Sequence, residues 1–238
     1  MTPETDFAGR AIQGHREDQE DFHAFEQLTG GRLLLLVADG AGGQASGELA
    51  SRHAALGFLE CFTRSTDTTV PTLFAALQEG NRRLAAFMDG DPTARATMAT
   101  TLLAAVVDGL ALHWISVGDS PLLLFRDGHL IRLNADHSMA GSKGDSIVAR
   151  NVLRSALVGG RIPMIDWRRE PCVLQENDIL IGASDGLWTL SLEEIAVLLR
   201  RQAAQTAAEI AHSLLQRLTD KGKSNQDNAT IAIVKAGA

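Results

Sequence analysis

Basic residues are in short supply in this chain, and cysteines are fewer still. Against 29 acidic residues stand 22 basic ones, a formal net charge of −7. That sign argues against nucleic acid or an anionic membrane surface as the main partner. Only two cysteines occur, Cys61 and Cys172, far apart and without CxxC spacing. They read as small core residues in a reducing cytoplasm, with a disulfide or a reactive thiol as the lesser alternative. No apolar run is long enough to span a bilayer. The opening "MTPETDF" lacks the basic start and apolar stretch of a secretory signal. The expected location is therefore cytoplasmic. Repeats, low-complexity tracts and obvious linkers are missing too.

What is present is an ordinary globular balance, 45% hydrophobic and 21% charged over 238 residues, ample for a real core. Residues 7–13, 21–28 and 32–38 read as strands. Residues 46–63 carry apolar positions at helical spacing, and a second helix starts near Pro71, which suits a first helical turn, and runs toward Met88. Strands follow at 98–107, 110–117, 122–126 and 129–133, then at about 170–175 and 178–183. Two helices come next, the first opened by Ser191 and Glu194 in capping-box spacing, the second over about 205–219. A strand from Ala229 to Lys235 closes the pattern. Strands in blocks and helices in pairs predict a largely antiparallel α+β layered fold rather than βαβ alternation.

Asp-Gly occurs four times. Asp108-Gly109 and Asp127-Gly128 separate paired strands, where the hairpin reading suffices. Asp39-Gly40 ("LLLLVADG") and Asp185-Gly186 ("ILIGASDG") instead end apolar strands ahead of helices. A lone aspartate there is most simply a helix cap. Two together suggest carboxylates held on the rim of a packed core, where a ligand geometry can be kept. Glu20 and Asp21 begin a strand, Asp119 lies in a break between strands, and Asp227 precedes the final strand. These six acids, Glu20, Asp21, Asp39, Asp119, Asp185 and Asp227, come without CxxC or HxxxH. Oxygen-only donors suit a hard divalent cation and disfavour zinc. The histidines are scattered, and most read as surface or satisfied core residues.

The order R-x-x-Q-E-D (16–21), D-G-x-G-G (39–43), Thr100-Thr101, G-D-S (118–120), D-H-S (136–138), S-D-G-L-W (184–188) and D-N-A-T (227–230) resembles metal-dependent protein serine/threonine phosphatases of type 2C, bacterial type. Each motif is weak alone; seven in order are specific. The resemblance implies a single phosphatase domain over residues 1–238. It also implies a four-layer αββα sandwich, two antiparallel sheets flanked by helix pairs, with a binuclear metal site at one end. By the same resemblance Asp39 would bridge two ions, Mn²⁺ or Mg²⁺. Asp185 and Asp227 would complete the first, and Glu20 with the Gly40 carbonyl would hold the second. Asp21 would stand behind them, and Asp119 with Asp185 match a third, weaker metal position. Arg16 would grip the phosphate, a task suited to a planar guanidinium, and Arg16 and Asp39 would be the catalytic residues. The implied reaction is hydrolysis of phosphoserine or phosphothreonine on proteins by a hydroxide bridging the ions. The implied partner is a protein phosphorylated by a bacterial serine/threonine kinase. A phosphoprotein-binding regulator without turnover is the alternative on the same fold.

Three departures stand out. Ala41 occupies a position where many eukaryotic relatives carry histidine. G-D-S is followed by Pro121 rather than arginine, removing a polar contact near Asp119. The stretch from Met139 to Arg150 is shorter than such relatives carry, and its composition suggests a mobile loop. A rival reading is G-x-S-x-G at 182–186, the nucleophile elbow of α/β-hydrolases. It needs a histidine after Ser184, and only His212 follows, inside a helical pattern.

Overall fold

A computed structural model describes residues 5–42, 45–65, 67, 70–139 and 152–237. In chain order its elements are β1 (Asp6–Ile12), β2 (Asp21–Gln27), β3 (Leu33–Ala41), α1 (Ala45–Thr63), α2 (Val70–Phe87), α3 (Pro92–Thr97), β4 (Ala99–Thr100), β5 (Leu102–Asp108), β6 (Ala111–Val117), β7 (Leu122–Arg126), β8 (His129–Arg132), β9 (Asp166–Trp167), β10 (Cys172–Val173), β11 (Ile179–Ala183), α4 (Leu192–Gln202), α5 (Ala207–Asp220) and β12 (Ala229–Lys235). One sheet has the order β1-β12-β11-β7-β8. The other runs β10-β6-β5-β3-β2, with β4 on β3 and β9 on β6. Every pairing is antiparallel.

Alternation along β3 shows how the layers stack. Leu33, Leu35 and Val37 face the other sheet, against Leu122, Leu124 and Val234. Leu34, Leu36 and Ala38 face α1 and α2, against Phe58, Leu77 and Leu84. Both faces are covered, so the strand is apolar without a break, each large side chain contributing roughly 1.5–3 kcal/mol by burial. On the far side Ile181, Ile231 and Ile233 pack under α4 and α5 against Ile195, Ile210 and Leu214. The result is the expected αββα sandwich.

Several local expectations shift. Strand β3 continues through Asp39 and Gly40 to Ala41, because β4 pairs Thr100 with Gly40 and Ala99 with Ala41. The strand expected at 98–107 is broken at Thr101. Helix α3 was not legible, being too short to show a period; Asp91 caps it and Pro92 takes its first turn. The two hairpin Asp-Gly pairs are not equivalent. At Arg126↔His129 the turn is Asp127-Gly128, with φ of 50° and 79°, as type I′ requires. At Asp108↔Ala111 Gly109 comes first in the turn, with φ of 58°, and Asp108 is the last strand residue. Cys61 and Cys172 are free and half-buried at the edges of the core rather than inside it.

Candidate active site

Each of the acids sits at a strand end. Glu20 enters β2, Asp39 and Gly40 lie near the end of β3, Asp119 follows β6, Asp185 follows β11 and Asp227 precedes β12. These ends surround one cavity of about 200 Å³, lined by Glu20, Asp39, Gly40, Asp119, Asp185 and Asp227, with Arg16 at its mouth. Thus the structure brings together every residue expected in a metal or phosphate-binding role.

Local bonding explains the placement. The Asp39 N–H donates to the Thr101 hydroxyl at 2.9 Å, and its carbonyl accepts from the Thr101 N–H and the Thr100 hydroxyl, both at 2.9 Å. The break between β4 and β5 thus serves Asp39, whose backbone is satisfied outside the regular ladder. Thr101 and Ser120 share a hydroxyl hydrogen bond of 2.7 Å, tying the Asp119 turn to the same point. Gly118, at φ 105°, lets that turn close over Thr101, where a Cβ would collide with the threonine side chain. Gly40 is required by a different contact: a Cβ there would strike the Gly47 carbonyl in the first turn of α1. Asn228 holds the opposite wall. Its Oδ1 accepts from the Glu20 N–H at 2.9 Å, and its Nδ2 donates to the carbonyls of Gln13 and Asp18 at 2.8 and 3.0 Å.

Asp21 lies behind the cavity. It pairs with Asp39 across β2 and β3, and its Oδ2 accepts from the Ser184 hydroxyl at 2.7 Å. Ser184 is fully buried and accepts in turn from the Thr230 N–H at 2.9 Å. This disposes of the nucleophile elbow. The hydroxyl is enclosed and faces a carboxylate, while His212 is an exposed residue of α5.

The electrostatics are those of crowded like charges. Burial, then the neighbouring Asp21, Asp185, Asp119 and Asp227, push the Asp39 carboxyl well above the usual range. Burial raises Asp119 and Asp21 each to about 7, and Asp185 to about 6. Glu20 is raised, mainly by burial, and its Oε1 is buried without a hydrogen-bond partner among the described residues. Arg16 opposes this set, donating to Asp227 Oδ2 at 2.7 Å, and Arg132 acts against Asp119. Among the described residues no three His, Cys, Asp or Glu side chains close into a ready ligand cage. Asp227 is engaged by Arg16.

Sequence reasoning missed part of the frame. Asn228 lies within the D-N-A-T motif, but an amide's value as a staple depends on which loops approach it, which no motif shows. Arg132 was missed altogether. It donates to the Asp119 carbonyl at 2.8 Å, pairs with Asp136 at 2.9 Å and stacks over Trp188. It therefore gives the Asp119 turn a polar contact from β8. His137 Nδ1 accepts from the Gly118 N–H at 3.1 Å, a buried structural role. Ala41 lies exposed on the cavity wall. Residues 140–150 of the short loop expected after D-H-S lie outside the described residues.

The family model for protein phosphatase 2C matches residues 8–218. The serine/threonine protein phosphatase PstP of Mycobacterium tuberculosis is 30% identical over 240 residues, covering 95% of this chain. The chain spans 44% of that relative's length. A serine/threonine phosphatase of Listeria monocytogenes is 27% identical, covering 94% of this chain and 91% of its own. Among solved structures, a PstP catalytic domain in complex with two manganese ions superposes with a TM-score of 0.81. It is 28% identical and covers 97% of each chain.

Proposed function

Because the chain belongs to the protein phosphatase 2C family, we propose that it hydrolyses phosphoserine and phosphothreonine on proteins with two divalent cations, Mn²⁺ or Mg²⁺, as cofactors. The observation that carries this reading is five carboxylates and one guanidinium around a single cavity, drawn from the ends of both sheets. The donor set fits hard cations. It is all oxygen, it includes the unpartnered buried Glu20 Oε1, and its carboxyls are mutually destabilised as anions until positive charge is added.

Asp39 would bridge the two ions, Asp185 and Asp227 would complete the first, and Glu20 with the Gly40 carbonyl the second. Asp119 with Asp185 would take a third. When bound, the ions supply Lewis-acid stabilisation of phosphoryl oxygens and a water of lowered pKa. The remaining work belongs to the chain. Arg16, exposed at the mouth, keeps N–H donors beyond those spent on Asp227 and binds the phosphate as a planar fork. Its charge offsets the repulsion between a phosphate dianion and the surrounding acids. Asp21, behind the wall, fixes Ser184 and hence the turn that aims Asp185. Ala41 offers no proton to the leaving alkoxide, so water or another group supplies it.

The partner is a phosphorylated protein, the product of a bacterial serine/threonine kinase. Among the described residues no helix is long and apolar enough to cross a membrane. The test is hydrolysis of a phosphothreonine peptide in the presence of Mn²⁺, Mg²⁺ or a chelator. Metal-dependent turnover is the expected result. Phosphopeptide binding without turnover in any metal would replace this reading with that of a phosphoprotein-binding regulator.

A further inference from the structure

A second recess, of about 360 Å³, adjoins the acidic cavity and shares Ala41 and Leu153 with it. Its walls are mostly apolar, with Ala99, Val158 and Pro163 among them, and Val158 is 42% exposed. The charged residues lining it are Arg154 and Arg161. Both are exposed, and among the described residues neither has an ion-pair partner. By contrast Arg16, at the mouth of the acidic cavity, is held by Asp227.

The recess is also built rigidly onto the active-site wall. Leu157 exchanges backbone hydrogen bonds of 3.1 and 2.8 Å with Thr100, the residue paired with Gly40. Ser155 Oγ donates to the Met164 carbonyl at 2.7 Å and accepts from the Met164 N–H at 3.0 Å. The Gly159 N–H donates to Asn81 on α2 at 2.9 Å. A surface held in place this way binds without a large ordering cost.

We propose that this recess takes the polypeptide flanking the phosphorylated residue, and that Arg154 and Arg161 favour substrates with Asp or Glu there. The inference rests on the phosphatase reading. Continuity through Ala41 and Leu153 supplies the path. A side chain seated in the cavity carries its own neighbours over that shared wall. The occupant's chemistry follows from the lining: apolar contact along the walls and carboxylates opposite two unpaired guanidinium groups.

The test compares kcat/KM for phosphothreonine peptides of equal length with acidic, neutral or basic flanks, and for an aryl phosphate, which has no flanks. Wild type should prefer acidic over neutral flanks by roughly five- to tenfold, carried mainly by KM and weakened by salt. The double variant Arg154→Glu with Arg161→Glu should invert the preference toward basic flanks and leave the aryl phosphate within about twofold. If charge reversal prevents folding, Arg154→Gln with Arg161→Gln should flatten the preference instead. Turnover with no flank preference in wild type, or a preference that survives both variants, overturns the recess alone. No turnover of any substrate, the aryl phosphate included, overturns the phosphatase reading and the recess with it.

Discussion

Asp39 and Asp127 are each followed by glycine, yet one lines an acidic cavity and the other forms the tip of a hairpin. On the proposed metal reading, Asp39→Asn should abolish phosphopeptide hydrolysis, since a neutral amide binds a cation more weakly than a carboxylate. Asp127→Asn should be silent, because asparagine tolerates the same positive φ, and Asp108→Asn, a surface strand end, should be silent as well. Equal effects in a hydrolysis assay would erase the distinction between these sites. In its proposed phosphate-binding role, Arg16 makes a charge-assisted contact in ground and transition states alike, so Arg16→Ala should raise KM more than it lowers kcat. An unchanged KM for a phosphopeptide would take Arg16 out of the phosphate site. Ser184→Ala separates positioning from nucleophilic chemistry. Removing the buried hydroxyl strips Asp21 Oδ2 and the Thr230 N–H of a partner, costing about 1–3 kcal/mol in urea denaturation. Turnover should survive in large part, whereas loss of a true nucleophile would cost orders of magnitude.

Among the elements, the helix pair α4 and α5 owes its boundaries to two capping boxes, Ser191 with Glu194 and Thr206 with Glu209. The first was legible in the sequence. Glu194 does more than cap, since it also accepts from Lys221 at the end of α5 at 2.7 Å. The Lys221 ammonium, then the Ser191 N–H, hold its carboxyl down to about 2, from an ordinary 4.5. A depressed folded-state pKa means that the ionised form stabilises the protein above about 4.5, and that this contribution is lost as pH falls toward about 2. Glu194→Gln should therefore lower the melting temperature at neutral pH, with the gap to wild type narrowing over that acid range. A gap independent of pH would mean that the charge does not matter.

Over the whole molecule, the central core joins the two sheets. Gly182 of β11 admits Leu35 and Leu103 of the opposite sheet so closely that a Cβ would collide with Leu35. Neither sheet has an apolar face to spare once its helix pair and the other sheet are in place. We propose that residues 1–238 form one domain and unfold in one step. Tryptophan fluorescence, reporting from Trp114 in one sheet and Trp188 beside the other, should coincide with far-ultraviolet circular dichroism on heating. Two separated transitions would show sheets that fold as independent units.

The sequence by itself determined the strand blocks, the helix pairs, the hairpins at 108 and 127, and the suspicion attached to acids at strand ends. These depend on period, turn chemistry and capping, all of which act within a few residues. Only the tertiary structure decided which acids meet. Glu20 and Asp21 are adjacent, yet Glu20 lines the cavity while Asp21, opposite Asp39 across β2 and β3, is held behind it by the Ser184 hydroxyl. Nor could local pattern show Thr101 splitting a strand to serve Asp39, Arg132 reaching the Asp119 carbonyl, or Asn228 stapling Gln13 and Asp18. The pairing of Leu157 with Thr100 likewise places Arg154 and Arg161 on a recess adjoining the acidic cavity, which no local pattern shows. Such juxtapositions depend on sheet register between segments far apart in the chain, and a linear pattern carries no distance between them.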